Sequence, residues 1–141
     1  MRQVIAAFER ADLEPLLAAL HDDVVWKSAS KQDKVFRFGG NYRTKLGVLD
    51  AVSDIVMDYT IHHMRPKEIV AAGNVVWGLF DVELDYDSAR DMDAVGKSEQ
   101  SRAVELEVAI RWRLQDGKII EHQSFFDTAS LLIQQGHPPA N

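Results

Sequence analysis

The 141-residue sequence contains no cysteine. That excludes disulfide stapling, thiolate nucleophiles and cysteine-ligated metal or iron–sulfur sites, while leaving export open. Long hydrophobic runs are missing too: no window approaches the ~18 apolar residues of a membrane-spanning helix. Positive charge is the minority, with 16 Lys and Arg against 22 Asp and Glu and a net charge of −6. Neither a nucleic acid nor an anionic membrane surface is expected as partner. The opening "MRQVIAAFERADLEPLL" has no long apolar core followed by a cleavage site, so it reads as mature protein with the cytoplasm as default location.

What is present suits one compact domain, since 46% of the chain is hydrophobic. Val4, Ile5 and Phe8 predict a helix over 2–10. A second short helix is expected from Asp12 as cap, with Pro15 in its first turn and Leu13, Leu16, Leu17 and Leu20 as its stripe, stopped by "HDD" at 21–23. "VVWKS" predicts a strand, and "FGGNY" a loop bending at Gly39 and Gly40. A third helix is expected over 44–54, capped by Thr44, with Leu46, Val48, Leu49 and Val52 on its apolar side.

The rest reads as strand. "MDYTIHHMRPKEIVAAG" is extended and bent near Pro66, and "VVWGLFDVELDY" is rich in aromatic and β-branched residues. A polar stretch at 87–100 links it to "SRAVELEVAIRWRL", after which "QDGK" closes a hairpin into "IIEHQSFFDT". "ASLLIQQG" adds a helical turn or two, the domain ends at 136, and 137–141 form a loose tail. Helices followed by antiparallel strands give an α+β class, the helices covering one sheet face.

Three stretches, "AFERADLEPLLAALHDDVVWKS", "FGGNYRTKLGVLDAV" and "RWRLQDGKIIEHQSFFDTASLLIQQG", together resemble the nuclear-transport-factor-2-like superfamily, in its SnoaL-like and ketosteroid-isomerase-like branch. The resemblance spans nearly the whole chain. It implies a cone-shaped domain of N-terminal helices against a strongly curved antiparallel sheet, with a pocket at the open end, and commonly a homodimer. Members include isomerases, polyketide cyclases, epoxide hydrolases, dehydratases and noncatalytic binders, so the fold leaves the function open.

Carried over residue by residue, the resemblance departs from two known enzymes. Ser28 falls where steroid isomerases carry a general-base aspartate, and Ile110 falls near their second acid. In "HQSFFD", Ser124 replaces the water-activating aspartate of limonene-epoxide-hydrolase-like enzymes, and Asp127 aligns as a structural residue.

The last strand divides by period-2 alternation into Ile120, His122, Ser124, Phe126 and Glu121, Gln123, Phe125, Asp127. The resemblance turns the first set toward the pocket. His122 is then the candidate general base or acid; the alternative is a hydrogen-bonded histidine in a partly buried wall. His62 and His63 face opposite ways in a strand, so one of them, His62, is expected to contact substrate. No spacing forces the histidines to converge on a metal. Asp81, Glu83 and Asp85 share a solvated face, Asp81 turning inward only through a twist or bulge.

Val104, Leu106, Val108, Ile110, Trp112 and Leu114 are expected on the concave face. Glu105, Glu107, Arg111 and Arg113 fit an outer face that also serves as dimer surface. Trp26 and Tyr42 are expected to line the pocket, with Ser28, Tyr42 or Ser124 hydrogen-bonding developing oxygen charge. The expectation is a cofactor-independent protein taking a small apolar, carbonyl-containing molecule. Proton transfer by His122 is one reading; noncatalytic binding or a dimeric interaction domain is the other.

Overall fold

The computed structural model describes residues 13–29, 36, 38–87 and 101–136. The expected helix at 2–10, the Asp12 cap, the 88–100 link and the C-terminal tail lie outside these residues. Helix α1, Glu14–Ala19, has Pro15 in its first turn and buries Leu16. It stops earlier than the leucine stripe suggests. Leu20 is already extended (φ −87°, ψ 141°) and fully buried as the first residue of strand β1, Leu20–Lys27, so "HDD" belongs to a strand and not to a helix end.

Strand β2, Asn41–Arg43, leads into helix α2, Thr44–Asp58, four residues longer than expected. Thr44 sits at φ 64°, and its Oγ1 accepts the Gly47 N–H at 3.5 Å, as a capping threonine does. The buried stripe is Val48, Ala51 and Val52, continued by half-buried Ile55. Leu46 stands about 200° around the helix from Val48. It is therefore 76% exposed and not part of the apolar side.

Strands β3 (Tyr59–Ala72), β4 (Val75–Asp87), β5 (Ser101–Gln115) and β6 (Lys118–Phe125) complete a six-stranded sheet in the order β2-β1-β6-β5-β4-β3. Four neighbouring pairs are antiparallel, but β1 runs parallel to β6, which makes the sheet mixed. The expected hairpin is present: Asp116 and Gly117 both have positive φ (53° and 76°), the backbone of a two-residue turn matched to strand twist. Helix α3, Thr128–Gln134, is capped by Asp127, whose side chain accepts the Ser130 N–H at 3.0 Å.

Alternation sorts the sheet into two faces. Phe80, Val82, Leu84, Val104, Ile110 and Trp112 are buried inside with Trp26, Ile119 and the α2 stripe. Outside, Lys67 reaches Glu107 at 2.8 Å and Asp81 at 3.7 Å, and Arg65 reaches Glu83 at 3.7 Å. Arg111 and Arg113 share Glu121 at 3.0 and 3.2 Å. Burial works to raise the Glu121 carboxyl, but these two guanidinium groups outweigh it and hold the group below its usual range.

Two register shifts change which side chains face inward. One lies in β3 between Ile61 and His63; the other lies between Arg113 and Leu114 on β5, which skips Ile120 on β6. Ile119, not Ile120, is consequently the buried residue that precedes the inward run of His122 and Ser124, three places before His122 rather than two.

Candidate functional site

The helices and inner sheet face line a cavity of about 140 Å³ that is partly open to solvent. Its walls have different character. On β3, β4 and β5 they are the apolar Ile61, Met64, Val82, Leu84, Leu106, Val108 and Ile110, with Tyr59 at the start of β3. The polar side chains Ser28, His122 and Ser124 come from β6 and the end of β1, where the two strands run side by side. Trp26, Phe38, Ile55, Phe126 and Leu131 fill the remainder, and no Asp, Glu, Lys or Arg lines the space among the described residues.

His122 is held tightly. The β1–β6 register places it directly opposite Trp26, and the two rings stack with centroids 3.6 Å apart and planes within 3°. Trp112 meets the imidazole edge-on at 6.0 Å. Burial removes the water that would stabilise an imidazolium, and pushes the His122 pKa down to about 3. The ring is therefore neutral near pH 7.

Two buried polar atoms have no hydrogen-bond partner among the described residues: His122 Nδ1 and Ser28 Oγ. Both belong to residues that line the cavity. Such atoms cost about 1–3 kcal/mol each when left unpaired. The Ser28 backbone is already fixed, its N–H donating to the Gly40 carbonyl at 3.1 Å. Tyr59 is committed elsewhere: its hydroxyl donates to Gln135 Oε1 at 2.7 Å, and burial raises its pKa far above the usual phenol value.

Five of the seven residues singled out in the sequence meet at this cavity: Trp26, Ser28, His122, Ser124 and Phe126. Two do not. Tyr42 packs against the core from the short edge strand β2 and donates its hydroxyl to the Gly39 carbonyl at 2.8 Å, so it is not pocket lining. His62 is exposed on the outer face, paired to Asp85 at 2.9 Å, and His63 is exposed as well. The register shift at 61/63 turns both away and gives the inward positions to Ile61 and Met64. Asp81 stays outside with Lys67. Among the described residues no cluster of three or more His, Asp or Glu is placed to hold a metal ion.

Sequence reasoning missed Phe38, Tyr59, Ile61, Met64 and Leu131 as lining. Ile61 and Met64 were hidden by the bulge, because strict alternation cannot put residues three apart on one face. Phe38 carried a signal in being aromatic beside two glycines, and Leu131 in following the Asp127 cap.

A family model described as a SnoaL-like domain matches residues 1–122. Among solved structures, a Rhodopseudomonas palustris protein provisionally named an isomerase shares 17% identity over 94% of this chain and 90% of that one, with a TM-score of 0.76. A protein with a ketosteroid-isomerase-like fold from Catenulispora acidiphila, in complex with trimethylamine, shares 14% identity, covering 96% and 90%, at 0.74. TerC, co-crystallised with polyporic acid, shares 21% identity, covering 92% and 90%, at 0.65. At these identities the likeness is one of fold. No curated protein matches the chain. No helix among the described residues is long and apolar enough to cross a membrane.

Proposed function

We propose that this chain, which belongs to the SnoaL-like domain family, binds a small apolar molecule bearing a carbonyl oxygen and transfers a proton at the carbon beside that carbonyl. The observation that carries this reading is the pair of unpartnered buried atoms, His122 Nδ1 and Ser28 Oγ, on residues of one cavity whose other lining is apolar apart from Ser124 and Tyr59. An imidazole has one acceptor nitrogen and one donor, and a hydroxyl can donate to an oxygen that gains charge.

In the proposed step neutral His122 takes the proton from carbon. The C–H electron pair moves into the new carbon–carbon double bond, and the carbonyl oxygen becomes an enolate oxygen held by the Ser28 hydroxyl. His122 then returns the proton to carbon, at the same or a neighbouring position. No cofactor enters this balance. The low pKa sets the condition for it. Charging His122 at pH 7 from a pKa of about 3 costs roughly 5 kcal/mol, at about 1.4 kcal/mol per unit. An enolate about 4 Å away at an effective dielectric near 20 returns about 4 kcal/mol. The two charges must therefore appear together, as they do in a direct transfer between neighbours.

A second reading has its own support: the lining carries no carboxylate, so the cavity fits a binder without turnover equally in shape. The two are separated by following deuterium uptake from D2O into a panel of cyclic ketones by NMR, with affinity measured by calorimetry. Proton transfer predicts uptake in the wild type and loss in His122→Ala with the fold retained. Uptake unchanged in His122→Ala defeats it, and binding without uptake in either protein establishes the binder.

The same reading includes a homodimer formed through the outer sheet face. Trp77 and Phe125 stand half-exposed there at 6.0 Å ring to ring, beside exposed Val70 and between the Arg111–Glu121 and Lys67–Glu107 pairs. An apolar centre with a mixed-charge rim suits a self-complementary contact.

A further inference from the structure

We infer that the cavity selects an uncharged molecule whose buried body is about one six-membered ring, with its single oxygen turned to the seam between β1 and β6, and that it rejects carboxylates and ammonium groups. This rests on the proposed small-molecule function and narrows it to a ligand class.

Three observations converge on this class. The first is size. The volume of about 140 Å³ is close to the roughly 150 Å³ that accommodates benzene in an apolar protein cavity. A second fused ring exceeds this volume.

The second is charge. No ionised side chain from β1, β3, β4, β5, β6, α2 or α3 faces the space among the described residues. Its two ionisable members are Tyr59, which burial and its bond to Gln135 keep protonated, and His122, which burial keeps neutral. An ion brought in would find no counter-charge, and an unpaired buried ion costs several kcal/mol.

The third is the division of the walls. Ser28, His122 and Ser124 lie together on β6 and the end of β1, while the β3–β5 wall offers hydrocarbon and one hydroxyl, that of Tyr59, already donated to Gln135. A ring carrying one oxygen satisfies both walls in one orientation. Reversed, it leaves its oxygen and the Ser28 hydroxyl without a hydrogen bond.

Calorimetry at pH 7 with cyclohex-2-enone, cyclohexene, cyclohexanecarboxylate, cyclohexylamine and 1-decalone tests this, with deuterium uptake followed in the same samples. Cyclohex-2-enone is expected to bind about tenfold more tightly than cyclohexene, one hydrogen bond's worth, and at least a hundredfold more tightly than either ion. Decalone is expected to be excluded and to regain binding in Leu106→Ala, whose half-buried side chain lines the cavity. Ser28→Ala, a small change that leaves the Trp26–His122 stack in place, is expected to shrink the ketone's advantage. Equal affinity for charged and uncharged rings, tighter binding of decalone by the wild type, or binding of none of the probes overturns the inference. Selective binding without deuterium uptake leaves the inference standing and removes proton transfer. Uptake into decalone removes the inference and leaves proton transfer.

Discussion

Trp26 and His122 lie face to face, 3.6 Å between centroids, because β1 and β6 run parallel with these two residues in register. With Trp112 edge-on at 6.0 Å, the imidazole can reach a ligand only by its rim. Trp26→Leu removes the stacking ring and leaves space for water. It should cost about 3 kcal/mol and bring the His122 titration midpoint up toward the ordinary value near 6.5. Chemical denaturation and an NMR titration of the histidine ring check the two parts separately.

His122 also predicts a pH dependence of stability. Its folded pKa of about 3 lies below its unfolded value of 6.5. Between those values the unfolded chain takes up a proton that the folded chain refuses, so stability falls as pH drops from about 6.5 toward 3. Above 6.5 this contribution is flat. The slope is at most about 1.4 kcal/mol per pH unit. His122→Gln should remove that component, so the difference in unfolding free energy between the two proteins should change between pH 6 and 4.5. A constant difference would mean that His122 titrates normally.

Gly78 and Gly73 separate two reasons for a glycine. A Cβ at Gly78 would meet the Phe80 ring at 2.6 and 2.7 Å and Trp112 at 3.2 Å, and Phe80 is fully buried. Gly78→Ala should cost about 2 kcal/mol through overpacking. Gly73 has open space but φ 59°, so Gly73→Ala should cost about 1 kcal/mol through backbone strain alone. Thermal unfolding of both variants gives the comparison.

Helix α3 is pinned across the cavity by side-chain amides. Gln134 donates to the Glu105 carbonyl at 2.9 Å and accepts its N–H at 2.8 Å, standing in where β6 no longer pairs with β5. Gln134→Ala should lower hydrogen-exchange protection in α3 and at Glu105 while leaving β4 unchanged, with a global cost near 1 kcal/mol. Equal loss of protection everywhere would show that the helix opens only with the whole domain.

The proposed dimer rests on the outer face. Trp77→Glu or Phe125→Glu places a charge at its apolar centre and should yield monomer by sedimentation without loss of helix content. An unchanged sedimentation coefficient would place any dimer contact elsewhere.

Much of this architecture could be read from residue order. The alternation of β4 and β5 assigned their inner and outer faces because a pleated strand sends successive side chains to opposite sides. Asp116-Gly117 specified its own turn because the backbone it needs is one that few residues adopt. His122, Ser124, Ser28 and Trp26 were recognisable as candidates from chemistry and resemblance.

Other features belong to pairing alone. Whether β1 begins at Leu20 depends on a partner strand being there to accept it, and the parallel union of β1 with β6 joins residues about a hundred positions apart. The bulges that expelled His62, admitted Met64 and exchanged Ile120 for Ile119 arise where two strands must slip past one another to stay bonded. Local sequence determines which faces a strand can offer. The neighbour it pairs with decides where that alternation is interrupted, and so which side chains reach the cavity.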